Sequence, residues 1–291
     1  MKSEDVTDIV NRDEKEAEYL SLLRPWVAGC LSCSVSEIDA ETIAGDASPR
    51  RYFRFRGNPL NETTYGSSVI AVWSPPTEKN FEFLLIRDKL SDLGIRVPQV
   101  YAKDLGNGFF LIEDFGDELL SSRLVNDPLF NPYDTCFTVL LKLAEADLQD
   151  HHLPHYNRAK LQGELDLFEH WFLAGLLENS FCSNERHILS ALYEYLIEEA
   201  LDQPTALVHR DFHSRNLMYL KSGELGVIDF QDAVIGPFTY DLVSLLKDCY
   251  VKWSRQHQLD WLSQYLAKLR RAGFSQDIND RQIIRWFDLM G

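Results

Sequence analysis

One aspartate, one asparagine and a second aspartate downstream are the side chains of this sequence that could act together in chemistry. Residues 209–216 read His-Arg-Asp-Phe-His-Ser-Arg-Asn, and Asp229 follows in an apolar segment. Phosphoryl transfer needs a carboxylate that orients the attacking hydroxyl and accepts its proton, together with oxygen ligands that hold Mg²⁺ on nucleotide phosphates. The spacing therefore predicts Asp211 as the catalytic base, and Asn216 and Asp229 as Mg²⁺ ligands.

Short apolar segments on either side of this loop must position it. They predict a strand-loop-strand hairpin, with strands at residues 207–208, 217–220 and 225–228. The turn before the last strand contains Gly223, and that strand delivers Asp229.

The remaining polar residues of the loop region have less specific signals. We expect His209 to support the loop by hydrogen bonding rather than to contact substrate. Asp241 opens a predicted helix, where free backbone N–H groups favour a carboxylate, and we expect it to brace the loop. His213 and Arg215 could contact phosphate or substrate, or could simply be solvated.

These motifs resemble a known family. An HxDxxxxN stretch, an aspartate in an apolar strand and an Asp-Leu pair opening a helix are typical of the aminoglycoside phosphotransferase and choline kinase group, which shares the protein kinase fold. Within that group the sequence is most similar to bacterial kinases that phosphorylate the anomeric hydroxyl of N-acetylmuramate and N-acetylglucosamine. The likeness runs from about Ile43 to the C-terminus and is strongest at residues 45–54, 209–217, 228–233 and 240–246.

The resemblance implies an α+β, bilobal protein-kinase-like fold. Residues 1–115 would form the nucleotide-binding N-lobe, with a helix and then a small antiparallel sheet, and residues 116–291 a mainly helical catalytic C-lobe. It also implies ATP and Mg²⁺ as cofactors, a small-molecule sugar substrate and a role in peptidoglycan recycling. Members of the family usually continue beyond the last predicted helix, so we expect the C-lobe to be truncated at its C-terminus.

Local patterns fit this order of elements. We predict a helix at 14–31 that Pro25 bends or interrupts, strands at 41–44, 52–55 and 69–72, a helix at 81–93, and a hairpin of 97–102 with 109–112. After residue 116 the pattern is mostly helical, with helices expected at 133–148, 166–178, 185–201, 240–253, 258–272 and 281–289.

The nucleotide site is predicted in the first half of the chain. Residues 45–51 form a loop of small and basic residues in which Ser48 and either Arg50 or Arg51 would contact phosphate. Kinase-like folds usually place a lysine on the third strand, but residues 69–74 contain none. The basic residues that could replace it are Arg50, Arg51 and Lys79, and Glu82 could pair with one of them. Backbone groups near Glu113 and Phe115 are expected to bind adenine.

Substrate recognition is less visible in the sequence. Gln231 and Asp232 directly follow Asp229 and are predicted, with His213, to contact the sugar. Asp166 and Trp171 are further candidates, although the amphipathic spacing around Trp171 favours a core position. Two alternatives stay open: an aminoglycoside or choline-type alcohol kinase of the same fold, and a catalytically inactive nucleotide-binding module.

Composition excludes several classes of partner. With 29 Lys and Arg against 45 Asp and Glu, the net charge is −16, which argues against general binding to nucleic acid or to an anionic membrane. The sequence has no apolar run long enough for a transmembrane helix and no signal peptide pattern. Five cysteines in a chain of 291 residues fit a reducing cytoplasm. We also expect the protein to be a monomer.

Overall fold

The computed structural model of the chain describes residues 6–43, 49–57, 60, 65–127, 130–149, 152–178, 181–274 and 277–291. The chain divides into two compact units. One consists of Met1–Arg87 and Val97–Gly116, and the other of Asp88–Arg96 and Asp117–Gly291. The assignment of nucleotide binding to residues 1–115 and of catalysis to residues 116–291 stays a prediction.

The first unit is an antiparallel sheet with a long N-terminal helix. Its elements are α1 (Val6–Cys30), β1 (Ile38–Ile43), β2 (Arg51–Gly57), β3 (Val69–Trp73), α2 (Asn80–Asp92, whose last turns belong to the second unit), β4 (Val100–Asp104) and β5 (Phe109–Glu113). The strand order is β1-β2-β3-β5-β4. Helix α1 runs through Pro25 without interruption.

Side-chain alternation along the central strand β3 explains why both faces of this sheet are covered. Val69 and Ala71 belong to the hydrophobic cluster that contains residues of α1. Ile70 and Val72 belong to a second cluster, against which Phe83 of α2 packs. Because successive side chains of a strand point to opposite faces, one apolar strand supplies both clusters.

The second unit is mainly helical. Its helices are α3 (Leu120–Asn126), α4 (Tyr133–Ala144), α5 (Arg158–Leu167), a π-helical segment (Phe168–Leu176), α6 (Ser183–Leu201), α7 (Tyr240–Leu246), α8 (Arg255–Arg271) and α9 (Asp280–Leu289). Its strands are β6 (Thr205–Val208), β7 (Leu217–Tyr219), β8 (Leu225–Val227) and β9 (Val234–Pro237). Throughout the described ranges of the chain, we find no helix with both the length and the apolar character needed to cross a membrane.

Strand pairing in the second unit differs from the predicted hairpin. β6 does not pair with β7; it pairs with β9, in a register that places Leu207 opposite Ile235. β7 pairs with β8 around the turn at Gly223, whose φ is +85°. The backbone N–H groups of the loop between β6 and β7 donate within the loop and to the carboxylates of Asp241 and Asp248, and the two strands that flank the loop pair with different neighbours.

The first or last residues of several helices also differ from those that periodicity predicts. The expected helix at 240–253 stops at Leu246, because the Asp248 carboxylate accepts a hydrogen bond from the backbone N–H of Tyr250 at 2.7 Å and forms a local turn. The helix expected at 166–178 instead begins at Arg158. There the side chain of Asn157 caps the first turn by accepting from the backbone N–H of Lys160.

Candidate active site

The loop between β6 and β7 is held in one shape by bonds among its own residues. The backbone N–H of His213 donates to the carbonyl of Asp211 at 2.9 Å, and that of Asn216 donates to the carbonyl of His213 at 2.9 Å. The Asn216 side chain also donates from Nδ2 to the Asp211 carbonyl at 3.0 Å. This last bond orients the amide of a buried residue, so its Oδ1 is the atom that remains to ligate a cation.

The structure brings Asp211, Asn216 and Asp229 together. The backbone N–H of Ile228, the residue before Asp229, donates to the carbonyl of Asn216 at 3.0 Å. Asp211 is exposed to solvent, but partial desolvation by the surrounding protein raises the pKa of its carboxyl, and the negative charge of Asp229 raises it further. A raised pKa moves a carboxylate towards the range in which it accepts a proton effectively during catalysis.

Two residues with strained backbone conformations, Arg210 and Asp229, lie next to or within this group of side chains. Among the described residues other than glycine, positive φ angles occur at Ser32, Glu178, Arg210 and Asp229, with values of 80° at Arg210 and 63° at Asp229. Such conformations are unfavourable for residues with a Cβ atom and persist where the surrounding structure enforces them, often at functional sites. Gln231 helps to hold Asp229, because its Nε2 donates to Asp229 Oδ1 at 2.8 Å.

His209 lies beneath the loop as a neutral ring. Burial lowers its pKa to about 4. Its Nε2 lies 3.0 Å from the carbonyl of Ile228, and its Nδ1 accepts from the backbone N–H of Asp211 at 3.3 Å. A neutral imidazole with its proton on Nε2 satisfies both bonds, and it links the Asp211 backbone to the strand end that carries Asp229.

Asp241 braces the same loop from the first turn of α7. Its two carboxylate oxygens accept the backbone N–H groups of His209 at 2.6 Å and Arg210 at 2.9 Å. The side chain is buried, and burial raises its pKa to about 7, whereas the two N–H donors act in the opposite direction. The bonds fix the backbone immediately before Asp211, including the strained residue Arg210.

The first unit presents a buried cation beside its sheet. Arg50 is 5% exposed, and its Nε donates to Ser74 Oγ at 3.0 Å. Its guanidinium lies 5.7 Å from the ring centroid of Phe83 and lines a small cavity of about 20 Å³ with Val72 and Asn80. A positive charge from the residue directly before β2 is therefore held next to β3, the strand on which the usual lysine is missing.

The two other basic residues predicted to contact phosphate both lie next to Arg50. Arg51 donates from Nη1 to the backbone carbonyl of Arg50 at 2.9 Å. The backbone carbonyl of Lys79 accepts a hydrogen bond from Arg50 Nη2 at 3.5 Å. The Glu78 carboxylate lies 3.9 Å from Arg50 Nε. The pairing of Glu82 with one of the basic residues stays a prediction. Ser48 lies outside the described residues.

A buried ion pair fixes the conformation of the segment in which adenine binding is predicted. Glu113 ends β5, and the next residue, Asp114, receives a bidentate contact from Arg54 at 2.6 and 3.0 Å. Asp114 also accepts the backbone N–H of Gly116 at 2.8 Å, so Phe115 lies inside a closed turn. Burial opposes ionisation, but these hydrogen bonds hold the pKa of Asp114 below its usual value. Sequence reasoning missed this pair, because a single Asp and a single Arg 60 residues apart carry no local signal.

The ligands that the loop offers fit a Mg²⁺ ion that also binds phosphate and water, rather than a metal ion whose ligands all come from the protein. Among the described residues, no group of three or more His, Cys, Asp and Glu side chains could hold a metal ion. Asn216 and Asp229 supply one amide oxygen and one carboxylate. Mg²⁺ in phosphoryl-transfer enzymes commonly takes one or two protein carboxylates and completes its coordination with phosphate and water oxygens.

Comparison with known families decides the class of this protein. The phosphotransferase enzyme family, abbreviated APH, matches residues 39–278, a range that contains the loop, Asp229 and Asp241. The chain belongs to the phosphotransferase enzyme family. The predicted enzyme class, a phosphotransferase that acts on an alcohol group, is thereby confirmed.

Curated relatives of this phosphotransferase are bacterial proteins. A Pseudomonas aeruginosa protein is 36% identical over 251 residues, which are 85% of this chain and 71% of that protein. A Neisseria meningitidis protein is 34% identical over 262 residues, which are 88% of this chain and 75% of that protein. Both are named N-acetylmuramate/N-acetylglucosamine kinase, so the predicted resemblance is confirmed.

Solved structures of distant relatives show the same fold. The choline kinase LicA from Streptococcus pneumoniae aligns with a TM-score of 0.59 at 15% identity, over 94% of this chain and 97% of that one. An aminoglycoside phosphotransferase, APH(2'')-Ib with ADP bound, aligns with a TM-score of 0.56 at 14% identity, over 87% and 92%. The predicted α+β protein-kinase-like fold is confirmed.

Arg210 connects the loop between β6 and β7 to helix α5. Its Nη2 donates to Glu164 of α5 at 2.5 Å, and its Nη1 lies 3.7 Å from Asp232. Tyr156 also donates to Glu164. Glu164 and Tyr156 line a cavity of about 270 Å³ whose other walls are mostly apolar. Of the predicted sugar contacts, Asp232 thus pairs with the residue before Asp211. Sequence reasoning missed Glu164, because no motif includes it.

Asp248 is a second brace that the sequence did not reveal. Its Oδ2 accepts the backbone N–H of Ser214 at 2.8 Å, so the segment after α7 is attached to the loop between β6 and β7. The aspartate is separated from the loop by 34 residues and belongs to no recognisable spacing.

Trp171 and Asp166 lie in the exposed part of the second unit. Trp171 is 67% exposed within the π-helical segment, so the core position favoured by its spacing is wrong. Its ring packs against His170 at 5.0 Å. Asp166 accepts from the side chain of Gln162 at 2.8 Å within the same helix. A role in substrate binding stays a prediction for both residues.

Proposed function

We propose that this phosphotransferase transfers the γ-phosphoryl group of ATP to the anomeric hydroxyl of N-acetylmuramate or N-acetylglucosamine. The observation that carries the proposal is the convergence of Asp211, Asn216 and Asp229, in a chain whose curated relatives at 34–36% identity are named for these sugars. Such a reaction would serve the recycling of cell-wall sugars in the cytoplasm, and the enzyme would act as a monomer.

Asp211 performs the proton transfer in this proposal. The O1 atom of the sugar forms a bond to the γ-phosphorus, while the bond between that phosphorus and the β–γ bridging oxygen breaks and ADP leaves with the electron pair. The hydroxyl proton passes to a carboxylate oxygen of Asp211. Since Asn216 fixes the Asp211 carbonyl and His209 accepts its N–H, the base is held in place before the sugar arrives.

Asn216 and Asp229 would hold Mg²⁺, which offsets the charge that develops on the phosphate oxygens. Gln231 keeps Asp229 oriented by a bond to Oδ1, which leaves Oδ2 to ligate the ion. The strained backbone at Asp229 supports this role, because the strain is maintained at the position where a ligand must be aimed.

Arg50 is the cation that we assign to the α- and β-phosphates of ATP. Among the three candidates it is the buried one whose side chain is oriented by a hydroxyl, through Ser74, next to Val72 of β3. The Arg54–Asp114 pair would keep the backbone near Glu113 and Phe115 in the shape that binds adenine. Ser48 stays a candidate phosphate contact from the sequence.

Replacing Arg50 with glutamine is expected to raise the KM for ATP about 10- to 150-fold, since a charge-assisted contact to phosphate contributes roughly 1.5–3 kcal/mol. The KM for the sugar should change little. Steady-state kinetics with each substrate varied in turn measures both values. Arg51→Gln is the matched control, because Arg51 contacts the Arg50 carbonyl instead of the cavity. An equal rise of KM for ATP in both variants would contradict the assignment of Arg50.

A panel of acceptors tests the proposed function itself. Purified protein would be incubated with Mg²⁺ and ATP and with N-acetylmuramate, N-acetylglucosamine, choline, ethanolamine or an aminoglycoside, and ADP release would be followed. Turnover with the N-acetylated sugars, and a product phosphorylated at the anomeric carbon by phosphorus NMR, supports the proposal. Turnover only with the amino alcohols or aminoglycosides, or nucleotide binding with no turnover, would reject it in favour of the corresponding alternative.

A further inference from the structure

A cavity of the second unit has one polar end and otherwise apolar walls. Its volume is about 270 Å³. The polar end is formed by the side chains of Tyr156, Glu164, Tyr240 and Ser244. The apolar walls include Leu161, Leu196, Ala200 and Val243. We call this space the Tyr240 cavity. Pockets that hold a whole small molecule commonly measure about 300–1,000 Å³, so the volume fits one substituent of a ligand better than an entire one.

The polar end of the Tyr240 cavity is attached to the residue before the proposed base. Ser244 Oγ donates to the carbonyl of Arg210 at 3.3 Å, and Arg210 Nη2 donates to Glu164 at 2.5 Å. Burial raises the pKa of the Tyr240 phenol, and the negative charges of Glu164 and Asp211 raise it further. A charge shifts a pKa in this way only from nearby, so the cavity lies close to the Asp211 carboxylate.

The hydrogen bonds at the polar end suit an uncharged group that both accepts and donates. Glu164 and Arg210 form an ion pair, so their charges offset each other. Tyr156 donates to Glu164 and lies 3.5 Å from Tyr240 Oη, which leaves the hydroxyl proton of Tyr240 for an acceptor in the cavity. Glu164 can accept a further donor, because each carboxylate oxygen has two lone pairs. A secondary amide offers one carbonyl and one N–H to these two groups.

We propose that the Tyr240 cavity binds the N-acyl group of the amino sugar, with the acyl carbonyl hydrogen-bonded to Tyr240 and the methyl group against the apolar walls. The inference rests on the proposed function. The acetamido group at C2 is adjacent to the anomeric carbon, so a sugar whose O1 lies at Asp211 carries this group to a nearby site. A lactyl carboxylate fits the cavity poorly, because Glu164 and Asp211 are negatively charged and the remaining walls are apolar.

Glucosamines with acyl groups of different length test this inference. The wild type should phosphorylate the N-acetyl and N-butyryl sugars with similar kcat/KM, because the cavity has room for the longer chain. Ala200→Leu places a larger side chain in the apolar end, and it should lower kcat/KM for the N-butyryl sugar at least about 10-fold more than for the N-acetyl sugar. Ala191→Leu is the matched control, because it makes the same replacement at an exposed position of α6.

Two further variants do not depend on filling the cavity. Tyr240→Phe should lower kcat/KM for N-acetylglucosamine about 2- to 12-fold through the loss of one neutral hydrogen bond, and the KM for ATP should not change. If Ala200→Leu does not fold, Leu196→Ala enlarges the same apolar wall and should favour the N-butyryl over the N-acetyl sugar.

The possible outcomes separate this inference from the proposed function. The same ratio of N-acetyl to N-butyryl activity in Ala200→Leu and Ala191→Leu would overturn the inference, and so would a wild type that uses the N-acetyl sugar alone. A loss in Ala200→Leu that is confined to N-acetylmuramate would also overturn it and assign the cavity to the lactyl group. A wild-type chain that phosphorylates neither N-acetylated sugar would overturn both proposals.

Discussion

Replacing Asp211 with asparagine is expected to lower kcat by roughly 100-fold or more, because the variant lacks the carboxylate that accepts the hydroxyl proton. Binding of ATP should remain close to that of the wild type, since Asn keeps the volume of the side chain and the backbone bonds of the loop do not depend on its charge. Steady-state kinetics gives kcat, and isothermal titration with a non-hydrolysable ATP analogue gives the Kd.

Asp260→Asn is the matched control for this experiment. Asp260 is an exposed aspartate of α8 whose carboxylate accepts from Gln256 within the same helix, so kcat should be unchanged. A value of kcat for Asp211→Asn within about twofold of the wild type would show that Asp211 is not the catalytic base.

Replacing Asp241 with alanine is expected to cost about 2–5 kcal/mol of the free energy of unfolding, because two N–H groups at the buried end of the loop lose their acceptor. These donors belong to His209 and Arg210, directly before Asp211. The folded variant should also lose most of its activity, since the strained backbone at Arg210 is no longer enforced. Urea titration followed by tryptophan fluorescence measures the stability.

Asp280→Ala is the matched control, because it also removes an aspartate carboxylate from the first turn of a helix. Asp280 also lies in the first turn of a helix, α9, but it is exposed and pairs with Arg270 at 3.1 Å. Its replacement should cost no more than about 1 kcal/mol. If the two alanine variants lose the same stability, Asp241 acts only on the helix dipole and the proposed brace is wrong.

The sequence predicted the parts of the site that are defined by local spacing. Asp211, Asn216 and Asp229 lie within one loop and one strand end, so a motif of fixed length specifies them. The strands of the first unit followed from period-two alternation, which the sheet retains on both faces.

Contacts between distant parts of the chain could not be predicted in this way. The bonds from Arg54 to Asp114, from Ser214 to Asp248 and from Arg210 to Glu164 span 60, 34 and 46 residues. Each depends on a single charged or polar side chain, and such residues are common on any surface. The pairing of β6 with β9 was missed for a related reason, because adjacent strands in sequence are the default partners.

Amphipathic spacing failed at Trp171 because it identifies an apolar face but not what covers that face. The π-helical segment carries several large apolar side chains that are exposed to solvent, including Phe168, Leu176 and Trp171. Periodicity alone assigns such a face to a core.

Crystallographic location of the metal in a complex with Mn²⁺ and ADP tests the central claim most directly, since the anomalous signal of Mn²⁺ identifies the ion independently of the refined coordinates. We predict one ion bound by Asn216 Oδ1 and a carboxylate oxygen of Asp229, each at about 2.1–2.2 Å, with phosphate and water oxygens completing an octahedron. An ion that is bound to the nucleotide but contacts neither residue would contradict the account.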